Sequence, residues 1–128
     1  MATLVHLDTH VLVWLFGGRT DLLSSLAQTL LEEGELFCSP IAALELRYLQ
    51  ETGRLGVSPG LVLSSLSREL GLRVCVAPFF EVVEHAYQET WTRDPFDRLI
   101  VAQARLRGAR LLSKDRRIRE FCESACWD

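Results

Sequence analysis

Apolar residues follow two rhythms along this chain, and the rhythms alternate. Short compact runs at Leu4–Leu7, Leu36–Ser39, Leu72–Ala77 and Arg110–Ser113 read as strands covered on both faces. Between them, apolar residues recur at intervals of three and four, the spacing that lines one side of a helix. Helices are predicted over Thr9–Phe16, Leu22–Glu33, Pro40–Thr52, Pro59–Leu70, Phe79–Trp91, Pro95–Arg107 and Arg116–Glu123, with Ala125–Trp127 as a fifth strand. The punctuation agrees. Gly17-Gly18, Gly34, Gly53, Gly71 and Gly108 follow helical stretches, and Ser39-Pro40 supplies a cap followed by a first-turn proline.

Strands separated by helices imply crossover connections and a parallel sheet. The expected fold is α/β. It is a single three-layer domain over residues 1–128, with a central parallel sheet of four to five strands flanked by helices. In such sheets the ligand site lies beyond the carboxyl ends of the strands.

Four acids interrupt this pattern. Asp8 closes the first strand and Asp115 follows the fourth, while Glu45 and Asp97 stand within the apolar stripes of two helices. Glu45 belongs to the series Ile41, Leu44, Glu45, Tyr48, Leu49, mid-helix, where capping cannot account for it. Asp97 opens the series Ile100, Val101, Ala104; the plain alternative is a first-turn carboxylate favoured by the helix dipole. Asp8, Asp94 and Asp115 could each be a helix cap. Buried carboxylates nevertheless need a partner, and four converging ones point to a divalent cation. Asp94 could orient the others or ligate through water. Thr9 and Ser113, at strand ends, could hydrogen-bond a carboxylate or a bound water; for Ser39 capping suffices.

Composition narrows the picture. With 128 residues, 48% of them hydrophobic and 24% charged, the chain can bury a real core. No apolar run approaches the roughly 18 residues of a membrane span, and no basic segment leads an apolar one in the manner of an export signal. A cytoplasmic protein with no membrane attachment is expected. Cys38, Cys75, Cys122 and Cys126 lack a zinc spacing and are read as small, reduced core residues. His6 and His10 are read as packing residues, although His10 stands two positions from Asp8 and could support it.

The net charge of −3 argues against a general nucleic-acid coat, yet nine of the fourteen basic residues lie between Arg93 and Arg119. That concentration leans towards an anionic partner, with Arg93, Arg98, Lys114, Arg116 and Arg117 as candidate phosphate contacts. Competing motifs fail. Gly17-Gly18 lacks the lysine of a phosphate loop, no serine sits in a nucleophile elbow, and His10 occupies the position where an aspartyl-phosphatase would carry a second acid.

Four segments, HLDTHVLVWL, SPIAALEL, RDPFDRLIVAQA and LLSKDRRI, together resemble the PIN domain, and within it the VapC-like toxins of toxin–antitoxin pairs. The resemblance spans nearly the whole chain. It implies that Asp8, Glu45, Asp97 and Asp115 are catalytic, metal-binding acids and Asp94 an accessory one. It also implies a Mg²⁺-dependent endoribonuclease (Mn²⁺ being the alternative ion), a cognate antitoxin and a homodimer. One or two ions would activate water for in-line attack on an RNA phosphodiester, most accessible in a single-stranded loop. The alternatives are a non-catalytic PIN-like binding module and a metal-dependent phosphohydrolase of a small substrate. Leu12, Leu15, Phe16, Leu61, Leu63 and Leu66 exceed what one sheet face needs, so an apolar partner groove is expected there.

Overall fold

A computed structural model describes residues 2–128. The sheet is wholly parallel and has five strands, β1 (Leu4–Leu7), β2 (Glu35–Cys38), β3 (Arg73–Val74), β4 (Arg110–Leu112) and β5 (Ala125–Cys126), in the order β3-β2-β1-β4-β5. Among the described residues the helices are α1 (Thr9–Phe16), α2 (Ser25–Glu33), α3 (Pro40–Glu51), α4 (Pro59–Leu70), α5 (Phe79–Ala86), α6 (Pro95–Leu106) and α7 (Arg116–Phe121). This is the expected three-layer α/β fold. No helix among the described residues is long and apolar enough to cross a membrane.

Strand alternation divides the core. Val5, Leu7, Leu36, Cys38 and Leu112 face one layer, where Leu12, Ala27, Ala42, Leu46, Val62 and Leu66 of α1–α4 cover them. Leu111 faces the other, beneath Ile100, Val101 and Ala104 of α6 and Ile118 of α7. His6 and Phe37 stack across neighbouring strands with centroids 5.9 Å apart. Burial, with help from the Arg107 guanidinium, lowers the His6 imidazole to about 4, so it packs as a neutral ring. The four cysteines are free and buried.

Several elements are shorter than their periodicity predicts. The second helix begins at Ser25 because the Ser24 hydroxyl caps the Ala27 amide at 3.1 Å; Thr20–Leu22 forms a separate 3₁₀ turn. The fifth helix stops at Ala86 rather than Trp91. Arg98 donates to the Ala86 carbonyl at 3.4 Å, and Glu89 leaves the helical path to meet Arg105 at 3.1 Å and the Trp91 indole at 2.9 Å. The valine-rich third strand shrinks to Arg73–Val74, since it lies at the sheet edge and Val76 is 89% exposed. The expected apolar groove also changes: Leu12 and Leu66 are core, Leu15, Phe16 and Leu63 are half-buried, and Leu61 alone of the six is exposed.

The chain steps from β1 outward to β2 and β3, then returns past β1 to β4 and β5. The strand order therefore reverses between β1 and β4, and a crevice opens at their carboxyl ends. Gly34 sets the approach of α2 to β1. A methyl group there would lie 2.5 Å from Val5 Cγ2 and 2.8 Å from the Leu30 carbonyl oxygen. Gly34→Ala is expected to destabilise the protein by about 1–3 kcal/mol, the usual cost of overpacking, read as a lower urea midpoint. An unchanged midpoint would show that this junction has room to spare.

Candidate active site

All four acids line one cleft of about 300 Å³, together with Thr9, His10, Val13, Trp14, Leu49 and Arg54. A larger hollow of about 650 Å³ lies at the β3 edge, but Arg73 is its one charged side chain, so size alone does not mark the chemistry.

Strand register brings the first two acids together. Leu7 pairs with Leu112, and the Asp8 amide continues the ladder by donating to the Leu112 carbonyl at 3.0 Å. Asp8, 5% exposed, caps α1 by accepting from the Thr9 amide at 2.8 Å. Its other oxygen accepts from the fully buried Ser113 hydroxyl at 2.7 Å. The Ser113 oxygen in turn accepts from the Asp115 amide at 3.1 Å. Asp115 caps α7, accepting from the Arg117 and Ile118 amides at 2.8 and 3.0 Å. Capping and convergence thus coincide in Asp8 and Asp115. Asp94 also caps, accepting from the Phe96 amide at 2.8 Å, but it is exposed and lies outside the lining of the cleft.

The other two acids arrive on helices. Glu45 is half-buried on α3 and accepts a hydrogen bond from the Thr9 hydroxyl. Burial raises its pKa most, Asp8 and Asp94 add to the rise, and the Thr9 bond opposes it. Asp97 is the third residue of α6. Burial first, then Asp94, Asp8, Asp115 and Glu45, raise its pKa to about 7. Positive helix ends temper the repulsion, for Asp8, Asp97 and Asp115 all sit at or inside first turns.

His10 braces the rim. Its Nε2 accepts from the Lys114 amide at 2.9 Å, so its proton belongs on Nδ1, 3.6 Å from Asp8 Oδ2. Burial holds this imidazole below its ordinary value against the pull of Asp8 and Asp115.

The donor set is all oxygen and highly anionic, which suits a hard divalent ion such as Mg²⁺. No three His, Cys, Asp or Glu side chains among the described residues stand close enough together to hold a metal ion between them. The four acids share one cleft without closing on a common point, so an ion held there would keep several of its own waters.

The basic segment divides by occupation. Arg98 donates to the Thr92 carbonyl at 2.8 Å, Arg105 to the Phe121 carbonyl at 2.6 Å and Arg119 to the Lys114 carbonyl at 3.1 Å. Arg107 donates to Cys75 Sγ at 3.0 Å. These four tie neighbouring helices and loops together. Arg117 bonds the Trp91 carbonyl and sits 5.9 Å from the centre of its ring. Arg93, Lys114 and Arg116 project into solvent, with Lys114 Nζ 5.9 Å from the Trp14 ring centre. The cation in the cleft wall is Arg54, which sequence reasoning did not single out, as an arginine in a loop carries no signal of its own. Trp14 was legible in principle, because it lies one helical turn beyond His10.

Folding raises the Asp97 pKa from 3.8 to about 7, so the folded state binds its proton more tightly. The resulting stabilisation is complete below the unfolded value and is lost as pH climbs through about 7. In EDTA, Asp97→Asn is expected to flatten this pH dependence and to raise stability at about pH 8 by about 1–2 kcal/mol, after discounting for solvent screening. Thermal melts across pH measure it. A loss of more than about 1 kcal/mol at that pH would give the helix-terminal role the upper hand.

Comparisons with known proteins agree with this geometry. The chain matches the PIN domain family over residues 5–124. Ribonuclease VapC22 of Mycobacterium tuberculosis is 33% identical over 118 residues, which are 91% of this chain and 91% of that protein. A chain from the crystal structure of VapBC2 from Rickettsia felis bound to a DNA fragment from their promoter superposes with a TM-score of 0.65 at 18% identity, covering 98% of this chain and all of that one. A chain of a toxin–antitoxin complex from Klebsiella pneumoniae gives a TM-score of 0.66 at 17% identity, covering 95% of each. The two solved structures speak to the fold and the family match to descent: with an acid-lined cleft at the switch point of a parallel sheet, the chain belongs to the PIN domain family.

Proposed function

We propose that this protein is an endoribonuclease, the toxin of a toxin–antitoxin pair, and that Asp8, Glu45, Asp97 and Asp115 carry its chemistry with Mg²⁺ or Mn²⁺. The observation that carries the reading is the convergence of these four acids on one cleft beyond the carboxyl ends of β1 and β4. The 33% identity to a ribonuclease of the VapC kind supports the reaction class. A bound divalent cation would neutralise the acids and polarise the phosphodiester and the attacking water.

The chain's own residues supply the positioning. Ser113 locks the Asp8 carboxylate to the loop bearing Asp115, so the two acids move as one body. Thr9 steers Glu45 from the first turn of α1, tying the acid on α3 to the one on β1. His10 holds the same loop from its other side. Asp97 comes to the cleft from the first turn of α6, where the helix dipole favours its carboxylate. Exposed Arg93, Lys114 and Arg116 would hold flanking phosphates.

A cognate antitoxin is part of the proposal, in keeping with the complexes that the fold resembles. A hollow of about 430 Å³, where Leu15, Leu23, Leu31 and Leu70 are rimmed by Thr20, Gln28, Glu32 and Glu69, offers mixed apolar and acidic surface to such a partner.

Antitoxin-free protein is expected to cleave a structured RNA at few sites with Mg²⁺ or Mn²⁺, and to turn over poorly with Ca²⁺, whose coordination is larger and looser. Asp97→Asn should lower the rate by at least about a hundredfold, the scale at which the outer partners of a metal site already act, while the circular dichroism spectrum stays the same. Gel analysis of RNA fragments checks both. Cleavage that persists in excess EDTA, or in the Asp97→Asn protein, would sink the metal mechanism.

A further inference from the structure

The acids account for part of the cleft lining; the rest has a different chemistry. Trp14 and Arg54 line the same cleft, with Val13 and Leu49. Arg54 follows Gly53, which turns the chain at φ +78° after α3, and the Arg54 amide donates to the Leu49 carbonyl at 2.8 Å. The residue is thereby anchored by its backbone, while its exposed guanidinium has no ion-pair partner among the described residues, although four carboxylates line the same cleft.

Trp14 is braced by His10 and Trp127, with centroids 4.9 and 5.7 Å away and planes tilted by 58° and 66°. Both contacts are tilted or edge-on, and they hold the orientation of the half-buried indole. The Lys114 ammonium lies over the ring, 5.9 Å from its centre. A rigid aromatic face with cations close by, next to acids that would handle a phosphodiester, is the combination that binds an unpaired nucleotide: the base stacks and the phosphate meets a guanidinium.

We propose that Trp14 and Arg54 form a nucleotide subsite, in which the indole stacks on the base adjoining the scissile phosphodiester and Arg54 takes a neighbouring phosphate. The proposal rests on the endoribonuclease reading above and makes it more specific. A base in a duplex has both faces covered by its neighbours, so the subsite selects single-stranded RNA and discriminates little between sequences.

The test uses the full chain carrying Asp97→Asn, so that RNA is bound without being cut. The probe is a short fluorescein-labelled single-stranded RNA of mixed sequence, titrated with Mg²⁺ over a series of NaCl concentrations. Arg54→Gln is expected to weaken binding about tenfold and to reduce the slope of log Kd against log salt by about 0.7, the loss of one single-strand phosphate contact. Trp14→Leu should weaken binding about tenfold with the slope unchanged, as for a lost stack. Trp14→Phe keeps an aromatic face and should stay within about threefold of the parent. It should also abolish most of the RNA-induced quenching of tryptophan fluorescence, although Trp91 and Trp127 remain; this readout stands if Trp14→Leu fails to fold. An Arg54→Gln protein with the parent's Kd and slope, or full quenching in Trp14→Phe, overturns the subsite. If antitoxin-free protein with Asp97 intact cleaves RNA while these variants bind normally, the subsite alone fails. If the protein with Asp97 intact neither binds nor cleaves RNA, the endoribonuclease reading fails and the subsite with it.

Discussion

Like charges confined to one cleft repel, and the local structure around this site answers that repulsion group by group. Asp8 takes hydrogen bonds from a backbone amide and a buried hydroxyl, and Asp115 from two backbone amides at a helix start. Glu45 takes one from Thr9. Each such bond satisfies a carboxylate oxygen that would otherwise face only its like-charged neighbours. Asp97 has no such bond among the described residues, and burial first, then the neighbouring acids, raise its pKa to about 7. The division of labour follows from position. Acids placed by the ends of strands are held by the backbone, whereas the acid at the third position of α6 has turned past the amides that a cap would use.

Much of this could be read in the sequence because the relevant signals are local. Leu4–Leu7 followed by Asp8, or Ser39-Pro40 ahead of an apolar stripe interrupted by Glu45, needs no tertiary knowledge to be placed. Glu45 stood out because a carboxylate in the middle of an apolar stripe has no local justification. What escaped depended on distant partners. The early end of α5 is set by Arg98 and Arg105, more than ten residues further on. The third strand looked like a central one because valine suits any pleated surface, and nothing in Leu72–Ala77 says that only one neighbour will pair with it.

The arginines illustrate the same limit. Nine cations within a short segment suggest an anion-binding face, and a sequence cannot say which of them the fold consumes. Arg98, Arg105, Arg107 and Arg119 are engaged with carbonyls or a thiol, since a guanidinium presents several donors and can close a helix end that water would otherwise have to satisfy. The cation that reaches the acid-lined cleft comes from outside the segment altogether, from the turn after α3. Clustering in sequence marked a region, and the position of each chain end in space decided which charges face the cleft.

The hydroxyl of Ser113 reaches Asp8 across 105 positions of sequence, and β4, which delivers it, lies beside β1 at the centre of the sheet. A chain emerging from the ribosome therefore displays Asp8, Glu45 and Asp97 well before it can seat β4 and close the ring of acids. The four acids can therefore come together only once β4 and the loop beyond it have left the exit tunnel and docked beside β1.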